Sequence, residues 1–247
     1  EVPTWFFLAS NLSMRLHGSH SFHAYPYVVR CGGMLNAFGP ELGHKATHPE
    51  SGDVTLSCAG FNRKNHYDRQ TPCDSDFLRK LAKDTDPEQL EAWFNRDAAQ
   101  LFHQQGAFDR EGVFIGDASY VFVPDNPRYE RSMRLLFDEH DHPVEAARLT
   151  GLTPQQAARY RWRRCYKLVS LLHTDRQRSF FLRVAARLLP GNVHECPVFY
   201  ELLDEFIQAV GAGVVRRLLL DRGFLDGARI ADVKQRHGID VLIPLRH

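Results

Sequence analysis

Leu218-Leu219-Leu220-Asp221-Arg222-Gly223-Phe224-Leu225-Asp226-Gly227 is the stretch whose reading decides the fold. It is an apolar run that delivers one aspartate at its end and then breaks at a glycine. An earlier stretch, Gly112-Val113-Phe114-Ile115-Gly116-Asp117-Ala118-Ser119-Tyr120, also sets a single aspartate in apolar company. A carboxylate there is costly to bury alone, so it calls for a cation, a donor or a metal beside it. Two such aspartates, brought together by neighbouring parallel strands, make a site for hard divalent cations such as Mg²⁺. The expectation is a two-metal site of the kind that serves phosphoryl transfer. The plainer alternative for Asp117 is a satisfied aspartate on a half-exposed strand.

Outward from these stretches, the residues around Asp117 are β-formers, and Gly112 to Val123 reads as a strand. Met133 to Phe137 is a short strand running into Asp138-Glu139-His140-Asp141-His142-Pro143, an acidic and histidine cluster typical of a solvated hairpin tip. Tyr166 to His173 and Phe180 to Leu189 read as antiparallel strands joined by a hairpin. Cys196-Pro197 opens a helix with Phe199, Leu203, Phe206 and Val210 on one face. Val214 to Leu220 is the next strand, Asp226 caps a helix carrying Ile230 and Val233, and Ile239 to Pro244 is a last strand. Strands joined through helices require parallel neighbours and right-handed crossovers, whereas the first three can form an antiparallel meander. The succession predicts a ribonuclease-H-like α/β domain: a mixed sheet flanked by helices, with the first strand beside the end of the fourth.

Before this domain, Asp86-Pro87-Glu88-Gln89 marks a helix start. Leu90, Trp93, Phe94, Leu101 and Phe102 follow at helical spacing as an expected core stripe, with Gly106 as terminator. Residues 1–74 show no lasting period. The domain reading is therefore an N-terminal region over 1–108, mixed then helical and a candidate DNA-binding module, followed by a catalytic domain over 109–247. His17, His20, His23, His44 and His48, and the grouping of Cys58, His66 and Cys73, lack the defined spacing of metal ligands. They read as surface and turn residues.

A chain of 247 residues with 43% hydrophobic and 25% charged residues is ordinary for a soluble protein. No apolar run is long enough to span a membrane, and Glu1-Val2-Pro3 opens without the basic start of a signal peptide. The missing initiator Met suggests a fragment or a processed chain. Five scattered cysteines without a Cys-x-x-Cys pair fit reduced thiols rather than a disulfide framework. A net charge of +1 does not by itself advertise nucleic acid, so any DNA affinity must come from local patches. Thr153-Pro154-Gln155-Gln156 starts a short helix that runs into Arg159-Tyr160-Arg161-Trp162-Arg163-Arg164-Cys165-Tyr166-Lys167. Basic and aromatic residues interleaved in this way suit a surface that neutralises phosphates and stacks bases; a solvated basic face with its aromatics packed inward is the equal alternative.

Ile115 to Tyr120, Cys165 to His173, Gly191-Asn192-Val193-His194-Glu195-Cys196-Pro197, Leu220 to Gly227 and Ile239 to Arg246 resemble, in order, the blocks of bacterial insertion-sequence transposases with a DDE catalytic domain. The resemblance runs from about Asp74 to the C-terminus. It implies that Asp117 and Asp221 are the first and second catalytic acids and metal ligands. It also implies Mg²⁺ or Mn²⁺ as cofactor, hydrolytic nicking at element ends and attack of the freed 3′-hydroxyl on target DNA. The implied partner is double-stranded DNA, with a homodimer on it, in a bacterial cytoplasm at the nucleoid. Arg161, Arg163, Arg164, Lys167 and Arg222 are the candidate DNA contacts.

The chain departs from the family in one respect. The family's third acid is a glutamate on a helix after the last strand, and this chain stops at Arg246-His247. Glu195 reads as a helix-start acid instead. The expectation is a truncated transposase, weak in metal binding and inactive in strand transfer. The alternative is a non-catalytic DNA-binding remnant, and a third reading is a metallohydrolase built on N-terminal histidines or on His140 and His142.

Overall fold

The computed structural model describes residues 4–16, 18–19, 21–24, 44–47, 49–52, 54–57, 75–175 and 181–244. Contacts divide the chain into two compact units, Glu1–Asp86 and Pro87–His247. The division falls before the helical segment, earlier than the boundary expected at 108, because that segment is tied to the sheet by side chains described below. In the first unit, helix α1 (Thr4–Leu16) precedes a 3₁₀ turn at Phe22–Ala24. Strands β1 (His44–Thr47) and β2 (Val54–Ser57) pair antiparallel, and helix α2 (Ser75–Asp84) follows. Met14 and Leu78 are buried there. Of the scattered histidines and cysteines, His17, His20, His48, Cys58, His66 and Cys73 lie outside the described residues, while His23 is exposed in the 3₁₀ turn and His44 opens β1.

The second unit is built on a seven-stranded mixed sheet. Its strands are β3 (Val113–Val123), β4 (Met133–Phe137), β5 (Pro143–Val144), β6 (Arg161–Thr174) and β7 (Leu182–Pro190), with β8 (Arg217–Leu220) and β9 (Asp240–Leu242) completing it. β6 lies antiparallel to β3 along one edge, and its other edge takes β4 and β7 end to end. β3, β8 and β9 run parallel. The order β7-β6-β3-β8-β9 is the expected ribonuclease-H-like sheet, with the β4–β5 hairpin added at the far end of β6. That hairpin closes at Asp138, which accepts the N–H groups of His140 and His142 at 2.9 and 2.8 Å. The bond donated by the His142 N–H, with that of His140 added, holds the Asp138 carboxyl below its ordinary range against the burial penalty. The acidic tip is thus a turn device.

Helices cover one face. Helix α3 (Pro87–Ala92) passes through a π-helical stretch, Trp93–Ala98, into α4 (Ala99–Gln104). The expected aromatic stripe is not the buried face: Trp93 and Leu101 are exposed, and Asn95, Ala98 and Ala99 are buried instead. The π stretch shifts the helical register, and the small alanines let the backbone approach the sheet. There Asn95 donates to the Ala186 carbonyl at 3.0 Å and accepts the Ala186 N–H at 2.8 Å, completing the free edge of β7. Arg187 on the same strand pairs with Glu91 and Glu205, both at 2.7 Å.

After a four-residue helix α5 (Pro154–Ala157), closed by a Thr153/Gln156 capping box, the chain enters β6 at Arg161. The basic stretch is therefore strand. Its Trp162, Cys165 and Tyr166 are β-formers, and it finds a cross-strand partner in β4. Helix α6 (Glu195–Val210) buries Phe199, Leu203, Phe206 and Val210, as its spacing requires. Helix α7 (Gly227–His237), capped by Asp226, carries the crossover from β8 to β9 and buries Val233.

Gly116 marks a tight point of this packing. A Cβ there would stand 2.4 Å from Leu220 Cδ2 and 2.5 Å from the Phe199 ring. Gly116→Ala is therefore expected to destabilise the domain by about 1–3 kcal/mol, the usual cost of overpacking. Urea denaturation measures it, and an unchanged midpoint would show that Phe199 retracts freely.

Candidate active site

Register is what assembles the site. Along the parallel pair, Phe114 sits opposite Leu218, Ile115 opposite Leu219 and Gly116 opposite Leu220. Asp117 and Asp221 are the next residues on the two chains, so both carboxylates arrive at the same level. Side chains alternate along β3. Phe114 and Gly116 face α6, whereas Ile115 and Asp117 face the opposite side of the sheet. Asp117 and Asp221 line one cleft of about 400 Å³ whose apolar lining comes from Ile115, Leu172, Phe181, Leu219 and Pro244.

Each acid is oriented by a short-range donor. Ser119 donates its hydroxyl to Asp117 Oδ2 at 2.9 Å. Asp221 accepts the Gly223 N–H at 2.7 Å and so caps the 3₁₀ turn Arg222–Phe224. Both aspartates are exposed, which leaves most of their lone pairs available.

The turn after Asp221 is fixed from the helical side. The Phe224 ring is buried 4.9 Å from that of Phe199. The Tyr200 hydroxyl donates to the Phe224 carbonyl at 3.1 Å, and burial pushes that phenol up to about 12. A Cβ on Gly223 would lie 3.0 Å from Asp221 Oδ1 and 3.1 Å from Glu195 Oε1, so the two carboxylates close on the bare backbone of that glycine. Glu195 occupies the first turn of α6. Its Oε2 accepts from Lys167 Nζ at 2.7 Å, and the same ammonium donates to the Val193 carbonyl at 2.8 Å.

The sequence-selected cations are placed unequally. Lys167 is 8% exposed and its ammonium is spent on Glu195 and Val193, inside the molecule. Arg163 pairs with Asp141 and covers the Phe122 ring. Arg164 pairs with Asp125 at 3.2 Å. Arg161 is exposed at the start of β6, and Arg222 is exposed with its Nε 3.4 Å from the Pro244 carbonyl. Sequence reasoning missed Ser119, Tyr200 and the Lys167–Glu195 pair. The first stands two residues from Asp117 on the same strand face, a signal that was readable; the others depend on tertiary contact.

Asp117 and Asp221 offer hard oxygen donors at one cleft, a donor set that fits a divalent ion such as Mg²⁺ or Mn²⁺. Among the described residues, no group of three or more histidine, cysteine, aspartate or glutamate side chains forms a metal cluster. No helix among them is long and apolar enough to cross a membrane.

The Lys167–Glu195 pair is half inside the protein, and removing one partner strands the other. Burial raises the Glu195 carboxyl, but the Lys167 ammonium and the residue's own backbone N–H outweigh it, and the net direction is down from the ordinary 4.5. A depressed folded pKa stabilises above the unfolded value and is lost as pH falls through the folded one. Glu195→Gln should thus cost about 2–3 kcal/mol at pH 7. The gap from wild type should narrow as pH drops below about 4.5. Urea unfolding across pH checks this, and a gap that stays constant to pH 3 would contradict the assignment.

Residues 130–247 match the family described as Transposase DDE domain, a span that contains Asp221 and begins after Asp117. The Mos1 transposase paired-end complex with left transposon end is similar over 98% of this chain and 59% of that one, at 10% identity and a TM-score of 0.28. The chain thus spans less than two thirds of that transposase. No curated protein matches.

Proposed function

We propose that this chain, whose residues 130–247 match the Transposase DDE domain family, acts on DNA through Asp117 and Asp221 as the first two acids of a metal-dependent phosphodiester-cleaving and strand-transfer site. The observation that carries the reading is the parallel register of Gly116 with Leu220, which sets the two following aspartates side by side at one cleft. Mg²⁺ or Mn²⁺ would be held by these two carboxylates. When bound, such ions activate the attacking oxygen and stabilise the leaving one in an in-line displacement at phosphorus.

The chain's own residues supply the frame. Ser119 and the Gly223 N–H fix which carboxylate oxygens point into the cleft. The apolar walls from Ile115, Leu219 and Leu172 lower the local dielectric, which strengthens each charge at the rim. Arg222 beside Asp221, and Arg161, Arg163 and Arg164 on β6, are the proposed contacts to phosphates of double-stranded DNA. Lys167 serves the site from behind, by holding Glu195 under the Asp221 turn. The natural setting of such a protein is an insertion sequence in a bacterial cell, working at the nucleoid as a homodimer on paired DNA ends.

A second reading, a DNA-binding remnant without catalysis, draws on a specific observation: no third carboxylate joins the pair among the described residues. Residues 1–247 by themselves are for this reason expected to bind metal weakly and to transfer strands poorly. Calorimetric Mn²⁺ titration of wild type, Asp117→Asn and Asp221→Asn decides between the readings. Each substitution should weaken Mn²⁺ binding about tenfold or more. In chelator, Asp117→Asn should bind duplex DNA as well as wild type or better, because a repelling charge is gone. Equal Mn²⁺ affinity in all three proteins would remove the metal site. Duplex binding indifferent to metal would then favour the remnant.

A further inference from the structure

We infer that the Arg134–Arg164 pair on β4 and β6 is a second, preorganised phosphate site, which holds the same DNA duplex at a distance from the two aspartates; the inference rests on the DNA-processing reading above. Arg134 and Arg164 stand directly opposite each other across the antiparallel β4–β6 ladder. Like charges in that position destabilise a sheet. A single carboxylate, Asp125, answers both: it lies 3.0 Å from Arg134 Nε and 3.2 Å from Arg164 Nε. One positive charge is left over.

The geometry of the pairing keeps that surplus available. Asp125 engages the Nε side of each guanidinium. Arg164 Nη1 is further tied to Ser132 Oγ at 3.2 Å and the Ser132 carbonyl at 3.5 Å. The Arg134 side chain is about half exposed, at 52%, and its guanidinium carbon stands 5.5 Å from the ring centre of Trp162, itself 43% exposed. The Nη groups of Arg134 form a fork suited to a phosphodiester, with an indole face beside it. The supporting loop is fixed as well, since the Tyr166 hydroxyl donates to the Glu130 carbonyl at 2.6 Å.

This site shares a sheet face with Asp117. Asp117 pairs with Ser170 and Val123 pairs with Arg164 in an unbroken register, and positions 117 and 123 point the same way. Six residues of strand separate them, about 20 Å at about 3.3 Å per residue. That is about six nucleotides of duplex at about 3.4 Å per step. A duplex laid along β3 and β6 would thus present one phosphate to the aspartates and another to Arg134 about half a turn away.

The test is fluorescence anisotropy of a labelled duplex with the full chain, across a salt series in chelator, for wild type, Arg134→Gln and Asp125→Asn. Loss of one phosphate contact should weaken binding and make the log–log salt slope shallower by about one. Between 50 and 200 mM salt, Arg134→Gln should therefore lose about threefold less affinity than wild type. Asp125→Asn removes the counter-charge and should bind more tightly, and the gain should vanish when Arg134→Gln is added, a coupling that general removal of a repelling charge would not give. Wild-type affinity and slope in Arg134→Gln, or weaker binding by Asp125→Asn, would overturn the second site while leaving the aspartate site standing. Failure of wild type to bind duplex DNA at all would instead overturn the DNA-processing reading, and this inference with it.

Discussion

Three backbone pairings between β3 and β8 carry the organisation of the domain. They are parallel, and parallel neighbours require the chain to leave the sheet and return, here through α6. Because the pairing ends at Gly116 and Leu220, the polar residue that follows on each strand emerges at one place. A slip of one residue would turn Asp117 into the helical core and Gly116 out to the cleft. The absence of a side chain at 116 guards against this: Phe199 and Leu220 fill the space that any larger residue would need.

The two sides of the sheet solve different problems. On the helical side apolar contact dominates, and the few charges present are paired: Lys167 with Glu195, and Arg187 with Glu91 and Glu205. On the side carrying Asp117, charges stand in water, and apolar residues such as Val121, Leu188 and Leu242 are exposed at 36%, 50% and 54%. The register places all three on that face. A face that mixes exposed carboxylates with apolar groups suits something that arrives from outside more than it suits a core.

The fold was largely legible in the sequence, and for physical reasons. Strand, helix and crossover follow from period and turn chemistry, so β3, β6, β7, α6, β8, α7 and β9 appear where the apolar patterns place them, with shifts of a few residues at their ends. The site's two aspartates were legible because each sits in an apolar strand context that does not need it. The misses share a cause. Trp93 and Leu101 read as core because their spacing is helical, yet the inserted π turn changes which residues face the sheet, and the polar Asn95 wins the buried position by completing a strand edge. Arg161 to Arg164 follow a capped helix start and carry no strong strand preference of their own, whereas pairing with β4 makes them strand. Lys167 looked like a surface cation, and nothing local announces that Glu195, distant in sequence, will neutralise it.

The last of these misses bears on which acids are free to serve a metal. Asp117 and Asp221 line the cleft while Glu195 lies behind the turn after β8, and the three are not equivalent. Glu195 is committed: one oxygen holds a buried ammonium, and releasing it would leave that charge stranded in the interior. Asp117 and Asp221 each accept one short bond, from Ser119 and from Gly223, and keep their remaining lone pairs toward the cleft. The half-buried acid fixes the turn, and the exposed pair remains open to a cation. The same lysine that makes Glu195 unavailable as a ligand makes the position of Asp221 reproducible.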